Sequence, residues 1–376
     1  MDELLSLRQQ IDEVNIQLLS LLKKRMLLSD GVAQYKMEHN MPVYNEEREK
    51  AILEEVSSMA GQFDGAAKVV FQTLMDVSRA RQYILMKGGD KLRKTIKNSM
   101  RTSLSDYKGI IACPGVEGAY SNFAVKKLFP KNDIKFYKRF EDVFKAVYSN
   151  EISFGVVPVE NSLAGSVSEI YDYLSKYNLY IVCETTLEIN HCLAAKKGLS
   201  FNNIKNVCSH PQALSQCSDI ISHNDWHAIP YTNTAAAAKA ASQSEDDNLA
   251  VICSSQAAKQ YGLNILKESI QNLSYNQTRF IAISKNLIIS PDANKISLSF
   301  CLPHIPGSLY RALMNFSVYG LNLTKIESRP IQGKGFEYSF YVDFTGSVFD
   351  EDTINLLCSM SEDFPAFSFL GNYPCV

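Results

Sequence analysis

Residues 1–86 hold the feature that most constrains the fold, a helical repeat with no strand pattern and a single proline. Apolar side chains recur at helical spacing, at Leu4, Leu7, Ile11, Val14, Leu18, Leu21, Leu22 and Leu28. This spacing predicts one long helix. Pro42 and its polar neighbours end that helix, and further helices are expected over residues 46–59 and, after a turn at 61–65, over 66–86. These apolar residues form a stripe along the first helix. Three helices make only a thin core in one chain, so this stripe favours an intertwined helical dimer.

From about residue 107 the periodicity changes. Short apolar runs alternate with helical segments that open with Gly, Ser, Pro or Asn, and the runs cover residues 109–113, 154–157, 207–209 and 249–252. Such alternation is typical of α/β units with parallel strands.

A third pattern begins at about residue 295. Strands are expected over residues 295–302, 323–328, 336–344 and 367–370, and helices over 306–319 and 350–361. This β-α-β-β-α-β order predicts a small α+β domain of the ferredoxin-like type.

The composition agrees with several domains in one globular chain. The 376 residues are 46% hydrophobic and 21% charged, and at about 150 residues per domain the length allows two or three. We therefore divide the chain into an all-α domain (1–88), a linker (89–106), an α/β domain (107–286) and an α+β domain (292–376).

Charge and cysteine usage exclude several classes of function. The 38 basic residues nearly balance the 40 acidic ones, which argues against a nucleic-acid or membrane-surface protein. Nine cysteines form no C-x-x-C pair, so neither a disulfide framework nor a zinc ribbon is predicted. The sequence shows no secretory signal and no membrane-spanning run, so a cytoplasmic protein is expected.

Cations lie on or beside the apolar stripe of the first helix. Arg25 follows Leu21 by four residues, and Lys36 follows Val32 by four, so both fall on the buried face. The other members of this polar set are Arg8, Arg48, Ser78 and Gln82. Buried cations need an anionic partner, which is either a ligand or, for each residue taken singly, a structural carboxylate such as Glu49, Glu46 or Asp12. Snorkelling of the side chains to solvent is a further alternative.

This polar set, together with Pro42, Val43 and Glu49, resembles the all-helical chorismate mutase family. The resemblance implies a dimer whose sites are built from both chains. In that family Arg8, Arg25 and Arg48 would hold or flank the substrate carboxylates, with Arg8 supplied by the other chain. Lys36 and Gln82 would donate to the breaking ether oxygen, Ser78 would line the site, and Glu49 would meet a hydroxyl. Asn45 stands where the family commonly has Asp, which affects one substrate-hydroxyl contact.

Polar loops open the helices of the α/β part. They cover residues 114–121, 158–166, 209–213 and 232–237, and a further segment, 276–280, leads into a strand. Each loop alone reads as an ordinary helix cap. Loops at the carboxyl ends of parallel strands converge on ligands, however, and the glycine spacing at 114–121 does not fit a dinucleotide site.

Taken in this order, the segments 118–121, 160–162, 209–213 and Thr278-Arg279-Phe280 resemble prephenate dehydratase over residues 108–284. The resemblance implies two lobes, like those of periplasmic binding proteins, with the site between them. Thr278 would donate to the leaving hydroxyl, aided by Asn161 and Ser121, with Ser162 also binding substrate. Arg279 is either a carboxylate clamp or a structural salt bridge. His210, before a proline, reads first as a helix cap.

Residues 295–376 resemble an ACT domain, a fold that binds amino acids. The segments that form the phenylalanine pocket in related enzymes correspond to Gly307 and Leu309 and to Glu327, Ser328 and Arg329. Ser308 and Tyr310 depart from the usual Ala and Val. The alternative is a purely dimerising domain that has lost its ligand.

Together the resemblances imply an isomerase and lyase of phenylalanine synthesis, acting on chorismate and prephenate as a homodimer or tetramer. L-Phenylalanine would inhibit it, and no cofactor or metal would be required. His223 and His227 have helical i, i+4 spacing, but no third metal ligand is in view. Two alternatives are an arogenate dehydratase fused to the mutase and a non-catalytic sensor of aromatic amino acids.

Overall fold

The computed structural model describes residues 2–99, 104, 107–331, 335 and 337–376. These residues group into two compact units. The first comprises Met1–Asn98 with Leu298–Phe369, and the second comprises Ser99–Ser297 with Leu370–Val376. The helical segment and most of the C-terminal module thus share one unit, and the α/β part forms the other.

The predicted helices at the start of the chain are confirmed to within a few residues. They are α1 (Asp2–Glu38), α2 (Glu46–Ala60) and α3 (Asp64–Met86). Asn45 caps α2, because its side chain accepts a hydrogen bond of 2.9 Å from the Arg48 amide, which satisfies a free helix N–H group. A further helix, α4 (Asp90–Lys97), lies within the segment expected to be a linker. Residues 100–103 and 105–106 of that segment are outside the described residues.

One lobe of the α/β unit contains a six-stranded sheet of order β2-β1-β3-β11-β5, with β4 paired to β3. Its strands are β1 (Ile110–Pro114), β2 (Asp133–Tyr137), β3 (Phe154–Asn161), β4 (Gly165–Ser166), β5 (Tyr180–Glu188) and β11 (Gln277–Ser284). Helices α5 (Tyr120–Leu128), α6 (Phe140–Tyr148) and α7 (Ser168–Tyr177) alternate with the strands. Apolar strand residues such as Val156, Val182 and Phe280 form the core of this lobe.

The other lobe contains a five-stranded sheet of order β10-β6-β9-β7-β8. Its strands are β6 (Cys192–Ala195), β7 (Asn206–Ser209), β8 (His227–Pro230), β9 (Leu249–Cys253) and β10 (Asn264–Lys267). Its helices are α8 (Pro211–Gln216), α9 (Ser218–His223), α10 (Thr234–Gln243) and α11 (Ser255–Gln260).

The expectation of parallel strands holds for only part of these sheets. Strand β1 runs parallel to β2 and β3, and β7 runs parallel to β8 and β9. Strand β11 is antiparallel to β3 and β5, and β6 is antiparallel to β9 and β10. The chain leaves the first lobe after β5 and returns to it at β11. A strand that returns from another lobe enters the sheet without the right-handed crossover that parallel neighbours require.

The C-terminal module has the predicted β-α-β-β-α-β order. Its elements are β12 (Lys295–Cys301), α12 (Ser308–Val318), β13 (Leu323–Pro330), β14 (Tyr338–Thr345), α13 (Glu351–Asp363) and β15 (Ser368–Tyr373). The sheet order is β13-β14-β12-β15. Phe336, at the start of the third predicted strand, lies outside the described residues. Within the part of the chain that is described, no helix has both the length and the apolar character needed to cross a membrane.

Candidate functional site

A cavity of about 300 Å³ lies in the α/β unit, lined by residues from both lobes. The four polar loops and strand β11 all reach it. Their polar contributions include Ser121, Asn161, His210, Gln212, Asn233 and Thr278. The loops meet because each follows a strand and opens a helix at the same end of its lobe.

Thr278 is held in the cavity by Asn161. The two residues are paired in register across β11 and β3, and the Asn161 amide donates a hydrogen bond of 2.9 Å to the Thr278 hydroxyl oxygen. The Asn161 side chain is fixed in turn, because its Oδ1 accepts hydrogen bonds of 3.1 and 3.0 Å from the backbone amides of Leu163 and Ala164. With one lone pair of its oxygen occupied, the Thr278 hydroxyl has its proton free to donate to a ligand.

His210 acts as the cap of α8. Its ring accepts a hydrogen bond of 3.3 Å from the Gln212 amide, as expected of a His before a helix. Burial lowers the pKa of His210 below its ordinary value. The ring lines the cavity but is neutral near pH 7, so it is a weak proton donor there.

Three polar residues of the cavity wall were not predicted from the sequence. Lys138 follows β2 and supplies a cation at the cavity wall. His191 and Gln216 also line the cavity, and the His191 Nε2 is 2.9 Å from the Gln216 carbonyl oxygen. Lys138 directly follows β2, a strand that was not among those predicted from the sequence. The His191–Gln216 contact joins residues from two separate segments, so no local pattern announces it.

The structure does not bring Arg279 or Ser162 to the cavity wall. Arg279 forms ion pairs with Glu160 at 3.4 Å and with Glu184 at 3.6 Å, and its side chain is only 14% exposed. Successive strand residues face opposite sides of a sheet, so Arg279 cannot share the side that Thr278 faces. Arg279 is therefore placed as in the structural salt-bridge alternative, and not as a carboxylate clamp at the cavity. The Ser162 hydroxyl accepts a hydrogen bond of 2.9 Å from the Gln277 amide at the edge of the same strand pair.

Among the N-terminal helices, Arg25 and Lys36 of α1 contact α3. The Arg25 guanidinium donates to the Leu74 carbonyl at 2.7 Å and to the Ser78 hydroxyl. The Lys36 ammonium donates to the carbonyl oxygens of Val43 and Gln82, at 2.5 and 3.2 Å. Burial lowers the pKa of both Arg25 and Lys36, partly offset by the Glu49 carboxylate. Two partly desolvated cations that reach successive turns of α3, at Ser78 and Gln82, favour binding of an anion.

The Gln82 side chain joins this cluster from α3. Its amide nitrogen donates to the Ser29 hydroxyl at 2.9 Å while its carbonyl oxygen accepts from Lys36. Both Gln82 and Ser29 are buried. Each NH₂ group carries two protons, so the second Gln82 proton is left for a ligand.

The remaining residues predicted for this site differ in exposure. Arg8 on α1 and Arg48 on α2 are exposed, and Asn45 serves as the α2 cap. Glu49 is half-buried and pairs with Arg79 of α3 at 3.5 Å. Burial raises the pKa of Glu49, against the effect of Arg79, which lowers it. Arg79 was not predicted as a site residue, because the sequence offers no signal for it beyond its position next to Ser78.

The apolar stripe of α1 lies open in the single chain. Leu18 and Leu21, for example, are 58% and 62% exposed. Such a contiguous apolar surface marks an interaction site. The predicted second copy of the chain is one occupant that would cover it.

A second cavity, of about 370 Å³, lies in the C-terminal module. Leu309 contributes to its wall, together with Tyr338 and Phe340 of β14. Gly307 precedes α12 with a φ of 80°, a conformation that favours glycine. Ser328 is opposite Phe340 in register, so both face the same side of the sheet, while Glu327 and Arg329 face the other.

No group of three or more His, Cys, Asp or Glu residues that could hold a metal ion occurs in the described ranges.

Two protein-family models match the chain. The model of prephenate dehydratase matches residues 111–287, and that of chorismate mutase type II matches residues 7–83. Both ranges agree with the clusters described above.

Known relatives cover either most of the chain or all of it. A bifunctional chorismate mutase/prephenate dehydratase of Aquifex aeolicus is 31% identical over 386 aligned residues, which cover 100% of this chain and 98% of the relative. Arogenate dehydratase/prephenate dehydratase 2 of Arabidopsis thaliana is 38% identical, covering 74% of this chain and 76% of the relative. A crystal structure of prephenate dehydratase from Arthrobacter aurescens in complex with L-Phe is similar with a TM-score of 0.64. It is 28% identical and covers 70% of this chain and 89% of that one.

Proposed function

Because the chain belongs to the family of bifunctional chorismate mutase/prephenate dehydratases, we propose that the two clusters described above are its active sites. The protein is an enzyme of phenylalanine biosynthesis, which rearranges chorismate to prephenate and converts prephenate to phenylpyruvate. The single observation that carries the dehydratase assignment is the 2.9 Å hydrogen bond between Asn161 and Thr278 at the cavity.

In the mutase site, Arg25 and Lys36 hold the substrate in a compact conformation. The rearrangement breaks an ether C–O bond while a C–C bond forms, and it needs no nucleophile and no proton transfer. Charge develops on the ether oxygen, and donors aimed at that atom lower the barrier. Lys36 and Gln82 supply these donors, since each has a proton not used by its contacts to Val43, Ser29 or each other.

Arg8, Arg48, Ser78, Asn45 and Glu49 complete this proposed site around the substrate. Arg8 is far along α1 from Lys36, so we assign it to the site of a second copy of the chain. The open stripe of α1 supports such a pairing as a homodimer, and two dimers would give a tetramer.

In the dehydratase site, Thr278 donates a hydrogen bond to the departing hydroxyl of prephenate. The bond between the ring and the carboxylate carbon breaks, and CO₂ leaves. The electron pair of that bond enters the ring, which becomes aromatic as hydroxide departs. Aromatisation supplies the driving force, so orientation of the substrate matters most. Lys138 and the start of α5 near Ser121 offer the positive potential that the dianion needs.

The proposed function predicts that one protein catalyses both the mutase and the dehydratase steps. Given chorismate alone, the purified protein should consume it and release phenylpyruvate, and added L-phenylalanine should suppress the release. Chorismate loss and phenylpyruvate formation are followed in the same reaction. Accumulation of prephenate without phenylpyruvate would contradict the assignment of the cavity.

Arogenate is the second candidate substrate of the cavity. The 38% identity to a plant arogenate dehydratase/prephenate dehydratase favours it. The ratio of kcat/KM for prephenate and arogenate separates the two, and we expect prephenate to be preferred because the mutase of the same chain produces it.

We assign the C-terminal module as an ACT domain and its cavity as the binding site for L-phenylalanine. A crystal structure of a prephenate dehydratase with bound L-Phe supports this choice of effector. Leu309, at the cavity wall, would contact the aromatic ring, and the backbone at Gly307 would approach the carboxylate at the start of α12. Ser328 lies beside this site, and Glu327 and Arg329 support the strand from its other face.

The Leu309→Ala variant should bind L-phenylalanine more weakly. Loss of apolar contact area predicts a roughly tenfold higher Kd, measured by calorimetry on the full chain. The Tyr310→Ala variant is the matched control, because Tyr310 follows in the same helical turn and is 56% exposed. Equal affinities for Leu309→Ala and the unaltered protein would contradict this effector site.

A further inference from the structure

One face of α3 carries three polar residues in a row, of which two are buried and the third is partly buried. Asp76, Arg79 and Tyr83 are spaced by three and four residues, which places them on the same side of the helix. Asp76 and Tyr83 are 4% and 3% exposed. Buried polar groups of this kind need partners from neighbouring elements.

In the middle of the row, Arg79 contacts the proposed mutase site. Its Nε is 3.5 Å from the Glu49 carboxylate of α2, and another guanidinium nitrogen donates to Asp76. The guanidinium also lies 5.0 Å from the centre of the Tyr44 ring, next to the α2 cap. Arg79 thus ties the position of Glu49 to α3.

At its C-terminal end, the row contacts α13 of the C-terminal module. The Tyr83 hydroxyl donates a hydrogen bond of 2.6 Å to the Asp363 carboxylate. Just beyond α3, the Gly89 amide donates to the Glu362 carboxylate at 2.5 Å. Two successive acidic residues of α13 therefore hold the C-terminal end of α3.

The carboxylate of Asp363 also acts on Arg79 electrostatically. Burial lowers the pKa of Arg79, but the carboxylates of Asp363, Glu49 and Asp76 outweigh this and raise it overall. Burial likewise raises the pKa of Asp363, against the effects of Arg79 and Tyr83. The Arg79 guanidinium thus contacts two carboxylates, those of Glu49 and Asp76, with the Asp363 carboxylate as a further source of negative potential.

We propose that Arg79 is a positioning residue of the mutase, which holds Glu49 for its substrate contact, and that the hydrogen bond from Tyr83 to Asp363 fixes this part of α3 against α13. The inference rests on the proposed role of Glu49. It makes the mutase site dependent on a residue of the C-terminal module that contacts no substrate. A change in that module can then reach Glu49 through this part of α3.

The proposal is tested by mutase kinetics of full-length variants. Arg79→Met should raise KM for chorismate about tenfold with a smaller change in kcat, because a ground-state contact is weakened. Asp363→Asn should do the same to a lesser degree, about threefold. Arg81→Met is the matched control, since Arg81 lies two residues further on α3, is 47% exposed and pairs with Asp30 instead. Its KM should stay within about twofold of the unaltered value.

A double-mutant cycle separates positioning from general stabilisation. If Arg79 acts through Glu49, the Glu49→Gln/Arg79→Met protein should be no worse than Glu49→Gln alone. Additive losses, or an Asp363→Asn protein with an unchanged KM, would overturn the inference while leaving the role of Glu49 intact. An unchanged KM in Glu49→Gln would overturn both.

Dehydratase activity with supplied prephenate serves as the internal check of folding. It should stay within about twofold in every variant of this set, because the substituted residues lie outside the α/β unit. If Arg79→Met does not fold, Arg79→Gln removes the charge while keeping polar atoms at this position, and an unchanged KM in Arg79→Gln would overturn the proposal.

Discussion

The Thr278→Val enzyme should lose prephenate dehydratase activity by about 10²- to 10⁴-fold in kcat, the range that a positioned proton or hydrogen-bond donor contributes. Valine has nearly the same shape as threonine, so the loss isolates the hydroxyl. The Asn161 amide retains acceptors in Asn276 and the Gln277 carbonyl, at 2.8 and 3.1 Å. The strand pair should therefore remain folded. The measurement is the rate of phenylpyruvate formation from supplied prephenate.

Two comparisons make this result specific. Thr186→Val removes a hydroxyl from the neighbouring strand β5, where Thr186 is exposed and paired in register with Arg279. Its dehydratase rate should be unchanged. Mutase activity should be normal in both variants. Persistence of dehydration in Thr278→Val would mean that another group of the cavity assists the departing hydroxide.

The Lys36→Met enzyme should show the opposite pattern, with chorismate mutase activity lowered about 10²- to 10³-fold, as for loss of one donor to a developing oxyanion. Methionine keeps most of the length and apolar stem of lysine. Gln82 keeps its contact to Ser29 at 2.9 Å, so the second donor stays in place. Conversion of chorismate to prephenate, followed directly, measures the effect.

Lys24→Met is the control on the same helix, because Lys24 is exposed and carries the same charge. Its mutase rate should be close to that of the unaltered enzyme. Dehydratase activity with supplied prephenate should survive in Lys36→Met. A normal mutase rate in that variant would refute the assignment of Lys36 to the ether oxygen.

The sequence was sufficient for features whose cause is local. The period of the apolar residues located α1, α2 and α3, and polar loops between runs of apolar residues located the cavity-forming segments. The alternation of side chains along a strand would also have shown that Thr278 and Arg279 face opposite sides. That argument was available from the sequence, because β-strands have a period of two.

Other features depend on residues far apart in the chain. Three features join segments that are separate in the sequence. They are the antiparallel pairing of β11, the contact of His191 with Gln216 and the ion pairs of Arg279. Lys138 became a candidate only when β2 was found at the edge of the sheet that forms the cavity.

The sequence by itself determined the three patterns of secondary structure, the caps of the helices and the residue types at each candidate site. These follow from backbone sterics and from the spacing of apolar and polar side chains over a few residues. Only the tertiary structure decided that Arg79 of α3 contacts Glu49, and that Tyr83, one turn further on, contacts the Asp363 carboxylate of α13. Tyr83 and Asp363 are 280 residues apart, and a contact at that separation is selected by the packing of whole helices, which no local pattern encodes.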